Sequence, residues 1–334
     1  MEIELIPESI RLLKMTDEVY FSEKYKDYIS NSKLSLLNPD EGGSPEKFKE
    51  GFNNEYVPAF EIGTAVHAML LQPDLYEIPN ITKPNGKLGI FAEHIYQYRT
   101  EGLSIKDSID KASKSANYYS GGLSEKRLKT AIKSSLDFYM KRKDFKTSLD
   151  KETLFLSNSH YATYEQCMAS IKSNNLFDNI LYPKGIVSDA EFFNEYAILA
   201  EVKVGEKIIK VKCKIDNFTI NDETTELTLN DIKTSGRPAN YFMGNYIFDE
   251  EGNKTWINGS FQKYRYYRQI AMYGWLLQNC IKVLRGTVYN FKSNILVVET
   301  IPNYSMRVCR ITNNAVKEGL KEFKKLLILA ANEY

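Results

Sequence analysis

Three acidic residues and a lysine stand at intervals that could build a cation site. The stretches YAILAEVKV, IIKVKCKID and ELTLNDIKT alternate β-branched and aromatic residues with polar ones, which predicts three consecutive strands. A two-residue turn of the Gly-X kind at Gly205-Glu206 places Glu195 opposite Asp216 across an antiparallel ladder. The next connection, Asn221-Asp222-Glu223-Thr224-Thr225, centred between Glu223 and Thr224, places Asp216 opposite Asp231. Lys233, two residues beyond Asp231, shares its face because strand side chains alternate with a period of two. Like charges facing one another on a sheet repel, so something positive is expected among them. A hard divalent cation, Mg²⁺ or Mn²⁺, takes carboxylate oxygens and keeps water for chemistry. Such an ion acidifies water and clamps the oxygens of a phosphodiester during in-line attack, while Lys233 orients that water or offsets charge on the phosphate.

The same acid-x-lysine spelling occurs at Asp144-Phe145-Lys146, Glu201-Val202-Lys203 and Glu322-Phe323-Lys324, where it reads as solvated surface. What separates Asp231-Ile232-Lys233 from these is the strand register, which a one-residue slip at either turn would destroy. His67 lies on a helix predicted from the apolar spacing of Phe60, Ile62, Ala65, Val66, Met69 and Leu70 and ended by Pro73, where a lone histidine is either a packed core residue or a ligand. Gln269 and Tyr273, four apart, share one face of a helix predicted over Tyr264 to Leu277. Its opening, Lys263-Tyr264-Arg265-Tyr266-Tyr267-Arg268, suits contact with DNA, with Lys263, Arg265 and Arg268 on phosphates and tyrosines stacked on bases; the other reading is an amphipathic helix with half-buried tyrosines. His94 and His160 have no comparable setting.

The elements that must position these residues span a chain of 334 residues, enough for one large domain or two modest ones. The expected organisation is a single α/β domain: an N-terminal segment over 1–89 with the His67 helix, a helical insertion over 90–180 with a loop at Ser120-Gly121-Gly122, a catalytic sheet with the Gln269/Tyr273 helix over 187–300, and a C-terminal helix over 314–332. Ser30-Asn31-Ser32 opens a short helix and Pro45 another. A polar loop is expected from Gly236 to Ser260, and TVYNFK with NILVVETI reads as a hairpin. Lysine and arginine total 44 against 43 aspartates and glutamates, so a polyanion must be held by local basic patches and metal ions. The four cysteines are scattered without a C-x-x-C pair, which fits free thiols in a reducing cytoplasm. MEIELIPESIRLLK lacks the apolar run of a signal peptide, and no segment approaches the length needed to span a bilayer.

Taken in order, these residues resemble the RecE-like branch of the RecB-related nuclease superfamily, found in phage recombination systems and built on the restriction-endonuclease-like PD-(D/E)xK fold. The resemblance runs through Ser30-Asn31-Ser32 with Ser44-Pro45-Glu46-Lys47-Phe48, then Ile62-Gly63-Thr64-Ala65-Val66-His67 with Leu71-Gln72-Pro73-Asp74. It continues through Lys212-Cys213-Lys214-Ile215-Asp216, Asp231-Ile232-Lys233-Thr234 and Tyr267-Arg268-Gln269-Ile270-Ala271-Met272-Tyr273. It implies a central mixed sheet flanked by helices, with metal ligands at His67, Asp216 and Asp231 and a catalytic Lys233. Gln269 and Tyr273 would lie near the scissile phosphate. A first-strand acid is implied too, at Glu195 by register or at Glu191 by the wording Ala190-Glu191-Phe192. The implied activity is Mg²⁺-dependent exonuclease digestion from the ends of double-stranded DNA, 5′ to 3′, leaving a tail for a single-strand annealing protein. A homo-oligomer is implied as well. The chain spells no helicase P-loop and no iron–sulfur cysteine cluster, which fits a stand-alone nuclease. Two rivals stay open: a structure-specific or restriction-type endonuclease of the same fold, and a non-catalytic DNA-binding protein on a degenerate one.

Overall fold

The three strands expected between Tyr196 and Thr234 form, and they are the middle of a larger sheet. In the computed structural model, which describes residues 2–52, 60–118, 125–145, 151–173, 175–183, 190–248 and 251–333, the strands are β1 (Ile3–Lys14), β2 (Ala190–Val204), β3 (Lys207–Asn221), β4 (Glu226–Ser235), β5 (Asn290–Glu299) and β6 (Met306–Arg310). They lie side by side in sequence order. Every neighbouring pair is antiparallel except β4 and β5, which run parallel. A parallel pair needs a crossover connection, and the Tyr266–Arg285 helix supplies it. The result is an α/β architecture with a central mixed sheet and flanking helices.

Turn chemistry sets the registers. Val204 pairs with Lys207 around Gly205-Glu206, and Gly205 takes a φ of 61°, a left-handed conformation that glycine adopts without steric cost. Asn221 pairs with Glu226 across the next connection, with Thr225 at a φ of 52°. Both registers are those expected from the sequence, but the ladder does not run unbroken through the acids. Glu195 has a φ of 59°, and the alternation of inward residues slips there: Phe193 and Tyr196, three apart, both pack on Phe218 with ring centroids at 4.6 and 6.2 Å. On β3 the core residues Ile209, Val211, Cys213 and Ile215 give way to Phe218 and Ile220. A regular strand cannot put residues three apart on one face, so the left-handed residue absorbs the odd step. The β3–β4 ladder begins only at Asn217–Asn230, and the Asp216 carboxylate instead accepts the N–H of Ile232 at 2.7 Å. The expectation of three acids side by side on a continuous ladder is corrected accordingly.

A row of asparagines crosses the sheet next to this kink. Asn217 donates to Asn194 at 2.7 Å, Asn230 to Asn217 at 2.7 Å and Asn294 to Asn230 at 2.9 Å. Asn217 also donates to the Leu181 carbonyl, from the short Leu176–Leu181 helix. The opposite face packs on the crossover helix and on the Asn313–Asn332 helix, one core joining Ile198, Val202, Leu229 and Val297 to Ile270, Leu277 and Phe323. The C-terminal helix starts where Thr312 accepts the Ala315 N–H at 3.3 Å, one residue earlier than expected. The crossover helix runs on to Arg285, where Gly286 closes it at a φ of 69°.

Three further differences from expectation have clear causes. TVYNFK and NILVVETI do not form a hairpin, because Asn294 belongs to the asparagine row and Lys292-Ser293-Asn294 continue the single strand β5, whose hairpin partner is β6. The predicted 236–260 loop contains a two-stranded ribbon, Asn245–Phe248 with Lys254–Ile257. The N-terminal residues form β1, which sequence reading left unassigned. The loop expected at Ser120-Gly121-Gly122 and the strand start expected near Val187 lie outside the described residues.

The chain divides into two compact units, Met1–Glu55 with Ser170–Tyr334, which holds the sheet, and Tyr56–Ala169. The second is mostly helical, with the helices Phe60–Leu71, Gly86–Thr100, Ile105–Ser115 and Glu125–Asp144. Its inner cluster comprises Phe91, Ile95, Tyr98, Ala112 and Ala116. Glu61 there binds Lys83 at 2.7 Å and His160 at 2.7 Å, which gives His160 a local partner. No helix among the described residues is long and apolar enough to cross a membrane.

Removing Asn230 takes the partner from the buried Asn217 carbonyl oxygen and from the half-buried Asn294 amide. Asn230→Ala is expected to lower the unfolding free energy by about 1–3 kcal/mol, read from urea denaturation; an unchanged midpoint would mean that the row contributes nothing. The free cysteines Cys167, Cys213, Cys280 and Cys309 are all buried, and burial pushes the thiols of Cys167 and Cys280 up to about 11. An aromatic disulfide reagent should therefore label none of them in the native protein and all four in denaturant; rapid native labelling would contradict the packing.

Candidate active site

The site begins at Asp231, whose side chain is almost wholly buried on the sheet face that meets the crossover helix. Gln269, on the second turn of that helix, donates to Asp231 Oδ1 at 3.0 Å, and the Lys233 ammonium stands 2.5 Å from Oδ2. The two strand residues reach one another because positions two apart share a face. Burial works against the Lys233 charge, but the Asp231 and Asp216 carboxylates outweigh it and hold the ammonium above its ordinary range. The Tyr266 ring lies under that ammonium, 5.1 Å to its centroid. Tyr266 opens the crossover helix beside Arg265, a non-glycine residue with a φ of 53°.

Asp216 and Glu195 flank this pair. Each presents a carboxylate oxygen within 4.8 Å of the other's. Lys214 forms an ion pair with Glu195 and reaches Asp17 at 2.6 Å. Its burial lowers the affinity for a proton, yet the two carboxylates raise it further, so the net shift is upward. Burial pushes the Tyr273 phenol well above its usual range, with Tyr20, Cys213, Asp231 and Asp216 adding to the effect, so Tyr273 stays a neutral hydroxyl at neutral pH. The two candidate first-strand acids lie in different surroundings. Glu195 stands beside Asp216, whereas Glu191 is exposed and bonds Arg285 at 2.8 Å.

The sequence-predicted residues Glu195, Asp216, Asp231, Lys233, Gln269 and Tyr273 therefore gather in the sheet unit. His67 lies half-buried on the Phe60–Leu71 helix of the second unit. The basic run divides. Lys263 is exposed beside the Tyr264 ring. Arg265 bonds the Tyr267 hydroxyl and pairs with Asp40 at 3.4 Å and Glu322 at 3.6 Å. Arg268, expected to contact phosphate, is 1% exposed and bound to Glu41 at 2.5 Å, Glu322 at 2.8 Å and Asn31 at 3.0 Å. A buried guanidinium demands such partners, so Arg268 joins the Asn31–Ser35 helix to the crossover and C-terminal helices and is not a DNA contact. Sequence reading missed Lys214 and Tyr266. The first could have been found from its spacing, two before Asp216 on the same strand.

Among the described residues, Lys214 pairs with Glu195 and Lys233 with Asp231. Carboxylate oxygen donors fit a hard divalent cation such as Mg²⁺ or Mn²⁺ and suit a soft thiophilic metal poorly.

No protein-family model and no curated protein sequence matches the chain. Among solved structures it is similar to a "putative exonuclease" from Eubacterium rectale, 14% identical with a TM-score of 0.50, the match covering 96% of this chain and 88% of that one. At that identity the likeness establishes a shared fold. A weaker match to SSO0001 is 12% identical with a TM-score of 0.26 and covers 81% and 85% of the two chains. Another, to VC1899 from Vibrio cholerae, is 12% identical with a TM-score of 0.21 and covers 97% and 59%. Neither bears on the argument.

The contact between Asp231 and Lys233 should be measurable as a coupling. Asp231→Asn and Lys233→Met, singly and together, are expected to give a double-mutant-cycle interaction of roughly 1–3 kcal/mol in unfolding free energy; strict additivity would mean that the two groups do not act as a pair.

Proposed function

We propose that this chain is a metal-dependent deoxyribonuclease of the PD-(D/E)xK type, an exonuclease hydrolysing phosphodiester bonds from duplex DNA ends. The observation that carries this reading is the pair of buried Asp231 and half-buried Lys233, steadied by Gln269 and flanked by Asp216 and Glu195. Such a group binds and polarises a phosphodiester and has no evident purpose in packing, since a buried ion pair rarely stabilises a fold more than apolar side chains would. The shared fold with a chain whose name speaks of an exonuclease supports the same reading.

Asp216, Asp231 and Glu195 would hold Mg²⁺ or Mn²⁺, and by family resemblance alone His67 is proposed as a further ligand. The ion, when bound, supplies positive charge at the phosphodiester and acidifies water. The chain's own groups do the rest. Lys233 stays charged through the neutral range and can offset negative charge as it develops on the phosphate. Gln269 keeps Asp231 from rotating by occupying Oδ1. Tyr273, held neutral, can donate a hydrogen bond and cannot add an opposing charge. The 5′ to 3′ polarity, the annealing-protein partner, the homo-oligomer and the cytoplasmic setting are parts of the proposal that rest on the resemblance.

Incubation with end-labelled linear duplex and with closed circular plasmid tests the reading. Linear DNA is expected to be shortened in Mg²⁺ and untouched in EDTA, with closed circles spared. Asp231→Ala and Lys233→Ala are each expected to slow digestion by about a hundredfold or more. Linearised plasmid would favour the endonuclease alternative, and parental rates in either variant would refute the site.

A further inference from the structure

Between the strand that carries Asp231 and Lys233 and the helix that carries Gln269, the chain forms the small ribbon Asn245–Phe248 with Lys254–Ile257. Tyr246 and Trp256 are register partners on one face, with ring centroids 4.9 Å apart and planes at 71°. Lys254, two residues from Trp256, lies on that face with its ammonium 3.7 Å from the Tyr246 centroid. All three are exposed, Tyr246 at 46% and Trp256 at 44%. Large rings left in water at this density, with a cation among them, make a surface waiting for a flat partner that carries negative charge.

The ribbon's root is held firmly. Phe261 donates to the Phe242 carbonyl at 2.9 Å, and the Gln262 amide to that of Met243 at 2.9 Å. Gly259 passes so close that a Cβ there would meet the Tyr241 and Phe242 carbonyl oxygens at 2.3 Å. Phe242 stacks on Tyr266, centroids 5.7 Å apart and planes within 10°, and Tyr266 is the ring beneath Lys233. A continuous run of aromatic contacts therefore joins the base of the ribbon to the lysine of the site.

We infer that this ribbon is a stacking platform for unpaired DNA bases, Trp256 receiving a base face, Tyr246 bracing it edge-on and Lys254 reaching the adjoining phosphate. Bases inside a duplex have both faces covered by their neighbours, so only an unpaired or terminal base offers a free π surface to an aromatic ring. Stacking of this kind tolerates any sequence, because every base has such a face. The ammonium complements a phosphate and the exposed rings a base face, a pairing that a nucleotide supplies in one unit. The inference rests on the nuclease reading only in its choice of DNA, since a strand led to Lys233 must pass near the ribbon's root.

The test measures binding rather than cleavage. Fluorescence anisotropy is recorded for a labelled oligothymidylate and a labelled two-strand blunt duplex without a loop, whose bases are covered except for the outer face of each terminal pair, with Ca²⁺ in place of Mg²⁺. Tyr246→Ala and Trp256→Ala are each expected to weaken single-strand binding about tenfold while changing blunt-duplex binding less than twofold, and Trp256→Phe to stay within about threefold of the parent. Because Trp256 also packs on Gly244, Lys254→Gln serves as an independent variant, expected to reduce the salt dependence of single-strand binding by about one phosphate contact. Unchanged affinity in both alanine variants would overturn the inference, as would a shift in elution volume of those variants without any change in DNA affinity, which would mark the ribbon as a protein interface. If ribbon variants lose the oligonucleotide but no DNA is digested in Mg²⁺, the platform stands and the nuclease reading falls. Digestion with ribbon variants binding normally gives the reverse.

Discussion

Strand register is the constraint on which everything else in this molecule depends. Acids drawn from β2, β3 and β4 can meet only if three neighbouring strands are held in one alignment, and electrostatic repulsion pushes against that alignment. The asparagine row through Asn194, Asn217, Asn230 and Asn294 holds it. Each amide bonds its in-register neighbour, and the middle two, Asn217 and Asn230, are fully buried, so a slip by one residue would strand them in a medium where an unmet hydrogen bond is costly. On β3 and β4 the row occupies the positions adjacent to the acids, Asn217 next to Asp216 and Asn230 next to Asp231. Polar atoms on one face thereby define where charged atoms arrive nearby.

The kink at Glu195 is the second half of this arrangement. A flat ladder through Glu195, Asp216 and Asp231 would stack three like charges in a line. The left-handed backbone at Glu195 and the early end of the β3–β4 ladder instead let Asp216 turn its carboxylate to the Ile232 N–H, while Asp231 turns to Lys233 and Gln269. Left-handed conformations are uncommon for a residue with a side chain and persist where the surroundings over-determine them. Here the stacked Phe193 and Phe218 rings on one side and the Lys214 ion pair on the other supply that determination.

Two charge clusters in the sheet unit illustrate different uses of the same residue types. Arg268 is closed in by Glu41, Glu322 and Asn31, and joins three helices. The Asp231 cluster, with Asp216, Glu195, Lys233 and Lys214, sits where strand alternation breaks down. The first ties helices to one another; the second gathers carboxylate oxygens from three neighbouring strands beside two ammonium groups. Composition does not distinguish them, since both are built from acids, a base and an amide.

Much of the architecture could be read from the chain alone because the responsible interactions are local. Alternation predicted β2, β3 and β4; the Gly205-Glu206 turn and the length of the 221–226 connection set their registers; helical spacing predicted the helices bearing His67, Gln269 and the C-terminal apolar face. The approach of Glu195, Asp216, Asp231 and Lys233 followed from those registers, while that of Gln269 was implied only by the family resemblance. What could not be read depended on partners distant in sequence. β5 turned out to be one strand because Asn294 meets Asn230, β1 became an edge strand because β2 lies ready to pair with it, and Arg268 went inward because Glu41 and Glu322 arrive from elsewhere. Periodicity records which face of an element is apolar, and only the packed chain determines which neighbour that face, or that charge, will meet.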